Sequence, residues 1–138
     1  MRHWVAVISR EHASVAAGSG FLQVCHGKAA PLRQTGAGDE VFIYCPRTEM
    51  GKGVLLRTVE YHCVFRDDVI YQVEQFPGFR PFRKDVTFSK NLSAVVLKDV
   101  AGLQFSSNSG WGMLAKRGFF EIGPSDADLL RTAMRGIL

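Results

Sequence analysis

Cysteine is scarce in this chain of 138 residues, and its three copies, Cys25, Cys45 and Cys63, are an odd number. A chain long enough to bury its own core does not need a disulfide framework, and an odd count does not suit one; a reducing compartment fits better. Metal-ligand spacing is also missing. The residues that could contribute are Cys25, His26, Cys45, His62 and Cys63, yet no Cys-x-x-Cys or His-x-x-x-His pattern occurs and adjacent ligands are geometrically awkward, so no metal and no cofactor are expected. No run of about 18 uninterrupted apolar residues occurs, which excludes a membrane-spanning helix. The start, "MRHWVAVISREH", has only a short apolar run and no small-residue cleavage site, so the chain reads as cytoplasmic. With no repeat, low-complexity tract or linker, residues 1–138 read as one domain.

What is present is a modest excess of positive charge, 17 Lys and Arg against 13 Asp and Glu, or +4 overall. This favours an anionic partner without demanding one. The pattern is one of strands with a few short helices. "HWVAVIS" (3–9) is apolar on both faces and reads as a buried strand; Ser9 can cap a short helix that Gly18 ends. "GAGD" is a turn, and "EVFIYCP" (40–46) is a strand stopped by Pro46. Residues 54–65 form a third strand, with "VIYQV" (69–73) returning after the "RDD" turn as its hairpin partner. "RKDVTF" alternates and is another strand; "SAVVLKDVAGL" suits a short helix or turn; "GFFEI" is a late strand. A final helix over "PSDADLLRTAMRGIL" would use Ser125 and Asp128 as a capping box and bury Leu129, Leu130, Ala133, Met134 and Ile137. The expected class is α+β, a small mixed sheet curled into a pseudo-barrel with short flanking helices.

One stretch carries more polar chemistry than a core needs: "FLQVCHGKAAPL", residues 21 to 32. Gln23 offers both a donor and an acceptor, as reading the edge of a nucleobase requires. Gly27 permits close backbone approach, and Lys28 supplies a cation for a phosphate. Cys25 beside His26 could form a thiolate–imidazole nucleophile, but neighbours in an extended segment point to opposite faces. His3 and His12 read as solvated.

"GFLQVCHGKAAPL", "GDEVFIYCP", "FRPFRKDVTF" and "WGMLAKRGFFEI", in that order and followed by an acidic helix start, together resemble the EVE-domain family of the PUA-like superfamily across the whole chain. The resemblance implies a curled sheet with helices across its openings, no catalytic machinery, and kinship with YTH domains, which hold a methylated base in an aromatic pocket. It implies recognition of a modified base such as a methylated or hydroxymethylated cytosine, with DNA slightly favoured over RNA. Phe21 falls at a pocket aromatic of the relatives; Gln23, Val24, His26, Gly27 and Lys28 fall on the wall that follows; Tyr44, Cys45 and Pro46 end the next strand facing the same pocket. Cys45 stands where serine is common in the family, and Phe21 where YTH domains use tryptophan.

Other residues complete the expected site. Trp4, in the first strand, suits either core or pocket, Ser9 at the end of that strand is a further pocket candidate, and Trp111, between Gly110 and Gly112, suits a loop on the pocket rim. Arg80, Arg83 and Lys84 interleave with Phe79 and Phe82 as a phosphate track, with Lys116 and Arg117 as further phosphate contacts. Two other function classes stay open: a small hydrolase acting on a modified nucleoside through Lys28 or the Cys25–His26 pair, and a partner-binding accessory protein with an empty pocket. The oligomeric state is not legible.

Overall fold

In the computed structural model, which describes residues 1–136, the first strand β1 (His3–Val7) already shows how the fold divides. Its alternate side chains enter different cores: Trp4 and Ala6 pack into one cluster, Val5 into a second. Helix α1 (Arg10–Ser19) follows, with Ser9 Oγ accepting from His12 N at 3.4 Å. The helix runs past Gly18 and ends where Gly20 takes a left-handed conformation (φ 76°). A short strand β2 (Phe21–Leu22), a left-handed turn over residues 25–27 and a short helix α2 (Ala29–Arg33) come next.

The long antiparallel hairpin of β3 (Glu40–Glu49) and β4 (Lys52–Phe65) forms the spine. Pro46 does not stop β3. It sits in a register irregularity between Cys45 and Arg47, where a residue without an N–H breaks no regular pairing. Val41, Ile43 and Cys45 face the first core; Phe42 and Tyr44 face the second. The expected hairpin of residues 54–65 with 69–73 does not form: β5 (Tyr71–Gln72) pairs with β6 (Phe82–Phe88), whose far end pairs with β4. Residues 95–96 form a two-residue strand β7 on β4, followed by a 3-10 turn at 97–99.

Trp111, expected in a loop, opens helix α3 (Trp111–Arg117), and β8 (Phe119–Ile122) leads into helix α4 (Pro124–Arg135). The capping box expected from Ser125 and Asp128 is absent because Gly123 is the N-cap and Pro124 takes the first helical position. Asp126 is instead the buried acid of the first turn, accepting from Gln104 N at 2.8 Å and Phe105 N at 3.0 Å. Leu130 and Met134 are fully buried in the second core; Ile137 lies outside the described residues.

The sheet order is β2-β6-β4-β3-β1-β8, with β1 parallel to β3 and the other pairings antiparallel. It curls into a half-barrel flanked by short helices, the α+β architecture the sequence predicts. Among the described residues no helix is long and apolar enough to cross a membrane.

Candidate functional site

A cleft of about 700 Å³ opens where five segments meet. The start of α1 contributes its cap Ser9 and His12; the 21–28 stretch contributes Phe21, Gln23, Val24, His26, Gly27 and Lys28; the β3–β4 hairpin adds Pro46, Arg47 and Glu49. The β5–β6 hairpin brings Gln75, Phe76 and Phe79, and the end of α3 brings Lys116 and Arg117. Much of the expected pocket is therefore gathered in one place.

The wall behind Lys28 is a turn of unusual backbone. Cys25 (φ 50°), His26 (φ 59°) and Gly27 (φ 82°) are left-handed in succession, a conformation that costs a non-glycine residue about 1–2 kcal/mol. Packing requires the glycine: a Cβ at Gly27 would lie 2.4 Å from Pro81 Cβ and 2.7 Å from its Cα. The close approach expected of Gly27 is thus to Pro81 rather than to a ligand. The turn sends the exposed His26 outward and aims Cys25 Sγ at Arg117 O, at 3.3 Å. Burial pushes the Cys25 thiol up, only partly opposed by Lys28, so it stays protonated and makes no pair with His26.

Phe21 is nearly buried, and the Arg83 guanidinium covers its ring with Cζ 3.7 Å from the centroid. The accessible aromatic surface of the cleft comes instead from Phe76 and Phe79, whose centroids lie 5.0 Å apart at 31° across the Pro77–Gly78 turn. Phe76 is 57% exposed. Beside them Arg83 Nε donates to Gln23 Oε1 (2.8 Å), an Arg83 Nη donates to Gln75 Oε1 (3.0 Å), and Gln23 Nε2 donates to Gln75 Oε1 (3.1 Å). The rim is cationic, with Lys28, Arg47, Lys116 and Arg117 against the carboxylate of Glu49.

Several expected site residues lie elsewhere. Trp4 is a core residue, stacked on Phe119 at 4.9 Å and 6°, its indole N–H donating to Asp39 Oδ2. Tyr44 faces the second core, edge-on to Trp111, which packs there against Phe105 and Phe120 rather than on the cleft rim. Cys45 is fully buried in the first core, where burial and nearby Glu60 push its thiol up to about 12. Lys84 cannot reach a phosphate, since it is 1% exposed and its Nζ donates to Thr35 Oγ1 (2.9 Å) and Thr35 O (3.3 Å). Arg80 is exposed on the β5–β6 hairpin but does not line the cleft, and Arg83 stands behind its wall.

A second polar cluster lies apart from the cleft. His3, expected at the surface, is buried with its Nδ1 2.5 Å from Glu40 Oε2. His62 Nε2 bonds Glu40 Oε1 at 2.7 Å, and Arg131 donates to both carboxylate oxygens at 2.9 and 3.0 Å. Burial raises the Glu40 pKa, but the bonds from His62, Arg131 and His3 outweigh it and hold the carboxyl well below its usual range. This cluster ties α4 and β1 to the β3–β4 spine. Cys25, His26, Cys45, His62 and Cys63 are not assembled, and among the described residues no group of three or more His, Cys, Asp or Glu could hold a metal.

The half-barrel has solved counterparts. Rpa0253 from Rhodopseudomonas palustris matches with a TM-score of 0.63 at 14% identity, over 100% of this chain and 95% of that one. A protein from Leishmania major matches with a TM-score of 0.59 at 10% identity, over 96% and 94%. At such identities the likeness is one of fold. No protein-family model matches the sequence. Sequence relatives are closer: a UPF0310 protein of Mesorhizobium japonicum is 36% identical over 135 residues, 96% of this chain and 91% of its own. UPF0310 protein YdcG of Bacillus subtilis is 32% identical over 133 residues, 96% and 91% of the two chains. Identity of this extent over nearly the full length of both partners means that the chain belongs to the UPF0310 family.

Proposed function

We propose that this UPF0310 protein is an EVE-domain, PUA-like reader that captures a modified nucleobase without turnover, with DNA slightly favoured over RNA. The observation that carries this reading is the convergence, in one cleft, of an accessible aromatic pair, an amide wall and a cationic rim. An unpaired or flipped base needs those three things: π surface to stack on, polar groups for its edge and cations for its flanking phosphates. The cleft volume falls within the usual range for small-molecule sites.

Phe76 and Phe79 supply the stacking surface, and Phe21 backs the wall behind Gln23. Lys28, Lys116, Arg117 and Arg47 grip phosphates. A methyl group on the base adds only about 0.8 kcal/mol by burial, so selectivity beyond a few-fold must come from how its edge and ring fit the cleft. The test is a binding screen with duplex and single-stranded oligonucleotides carrying one modified base each. Saturable binding that rises for at least one modification and falls steeply with salt is expected. Equal, salt-insensitive affinity for every oligonucleotide, or none for any, would overturn the reading.

A further inference from the structure

Guanidinium has five N–H donors and no acceptor, so any amide atom it bonds must be the oxygen. Arg83 makes two such bonds, to Gln23 and Gln75. Both amides are therefore turned the same way, with their oxygens toward Arg83 and their NH2 groups elsewhere. One Gln23 N–H is taken by Gln75 Oε1, which thereby accepts from two donors. The other Gln23 N–H and the Gln75 NH2 have no partner among the described residues. Arg83 is itself fixed by lying on Phe21 at 3.7 Å, and it stands behind the wall while the two glutamines line the cleft.

We propose that Arg83 is a positioning residue that makes this amide wall donor-only, so that the cleft selects a base edge presenting acceptors and rejects an otherwise identical one carrying a ring N–H there. The proposal rests on the base-capture reading above and adds the rule of choice within it. A glutamine free to rotate offers either its oxygen or its nitrogen and discriminates poorly. A glutamine whose oxygen is held against a guanidinium turns its N–H groups rather than its oxygen to the cleft, and a facing N–H leaves two donors unpaired in a confined site.

5-Methylcytosine and thymine separate the two cases. They share the ring, the 5-methyl group and the O2 acceptor; position 3 is a lone pair in the first and an N–H in the second, and position 4 is an NH2 donor in the first and a carbonyl acceptor in the second. The edge that the wall addresses is therefore O2 with position 3, two acceptors in 5-methylcytosine but one acceptor beside an N–H in thymine. The experiment is a titration of the full chain with two single-stranded oligonucleotides identical except for one central 5-methylcytosine or thymine, repeated with Arg83→Met, Arg83→Lys and Gln23→Glu. Wild-type protein should prefer 5-methylcytosine by about tenfold or more. Gln23→Glu, the same length but acceptor-only, should abolish or reverse the preference. Arg83→Met should bring the ratio toward one, and Arg83→Lys, which keeps a cationic donor but not the planar fork that reaches both amides, should restore part of it. A ratio unchanged in Arg83→Met, with both affinities lowered together, would make Arg83 merely structural and overturn the proposal. So would a wild-type preference for thymine or no preference at all, with binding itself intact. Absence of binding to either oligonucleotide would overturn the base-capture reading, and this proposal with it. If Arg83→Met does not fold, the Gln23→Glu ratio decides.

Discussion

Adjacent residues in this chain have opposite fates, and the period of two along a strand explains them. Arg83 and Lys84 look alike in sequence, yet in β6 their side chains leave on opposite faces: Arg83 toward Gln23, Lys84 into the core against Thr35 and Phe65. From sequence both fall on one phosphate track, although alternation along a strand lets only one of two neighbours turn to a given face. Trp4 posed the same problem, because a strand apolar on both faces does not say which core its tryptophan enters. Phe76 was missed, and Phe79 was read only as an aromatic within the phosphate track, although the intervening Pro77–Gly78 is a strong turn signal that brings the two side chains together. Alanine at both Phe76 and Phe79 should weaken oligonucleotide binding by about 1–3 kcal/mol, whatever the base, because stacking is indifferent to base identity. Isothermal titration against modified and unmodified oligonucleotides checks this, and an unchanged affinity would move the stacking surface elsewhere.

Glu40 supports a prediction of another kind. Its folded carboxyl holds a proton less tightly than the unfolded one, so the stability it contributes is fully present above the ordinary value of 4.5 and is lost as pH falls below it. Glu40→Gln should cost about 3 kcal/mol at neutral pH, at the low end for a broken buried pair because Arg131 keeps some access to solvent. Urea melts at pH 7 and pH 3 should show the gap between the two proteins shrinking at the lower pH. A gap that stays constant would mean that Glu40 gains little from its ionised form.

At the scale of elements, the strands were more legible than their partners. β1 and the first half of β3 follow from β-branched and aromatic composition, but β4 runs from Lys52 to Phe65 and pairs with β3, β6 and β7, which local pattern cannot express. Helix α3 escaped notice because glycines flank Trp111 and read as loop, whereas tertiary packing of Trp111 on Tyr44, Phe105 and Phe120 holds the helix in place. The 25–27 turn depends on Gly27 in two ways: its left-handed backbone and its close packing on Pro81, whose backbone cannot yield cheaply. Gly27→Ala should therefore lower stability by about 1–3 kcal/mol and loosen the cleft wall. Thermal melts check the first effect. Wild-type stability in this variant would show that Pro81 moves aside.

For the whole molecule, the half-barrel was legible from many short strands and a few short helices, while the cleft was legible only in part: the 21–28 wall stood out by its polar residues, but its union with the β3–β4 and β5–β6 hairpins joins segments far apart in sequence. Charge followed the same logic: a modest net excess becomes meaningful only because four cations share one rim with one carboxylate. Replacing Lys28, Lys116 and Arg117 with alanine should reduce the slope of log affinity against log salt by about 1 for each phosphate no longer gripped, equally for all oligonucleotides. Arg80→Ala, on the exposed hairpin outside the cleft, should leave the slope unchanged. Equal effects from both sets would place the phosphate path outside the cleft.

The most direct test of base capture in this cleft is amide chemical-shift mapping of the full chain during titration with a bound modified oligonucleotide. The account predicts perturbations concentrated at residues 21–28, 46–51, 75–79 and 115–118, with His3, Glu40, His62 and Arg131 unmoved. Perturbations centred on the Glu40 cluster, or spread evenly over the basic surface with the 21–28 stretch silent, would contradict it.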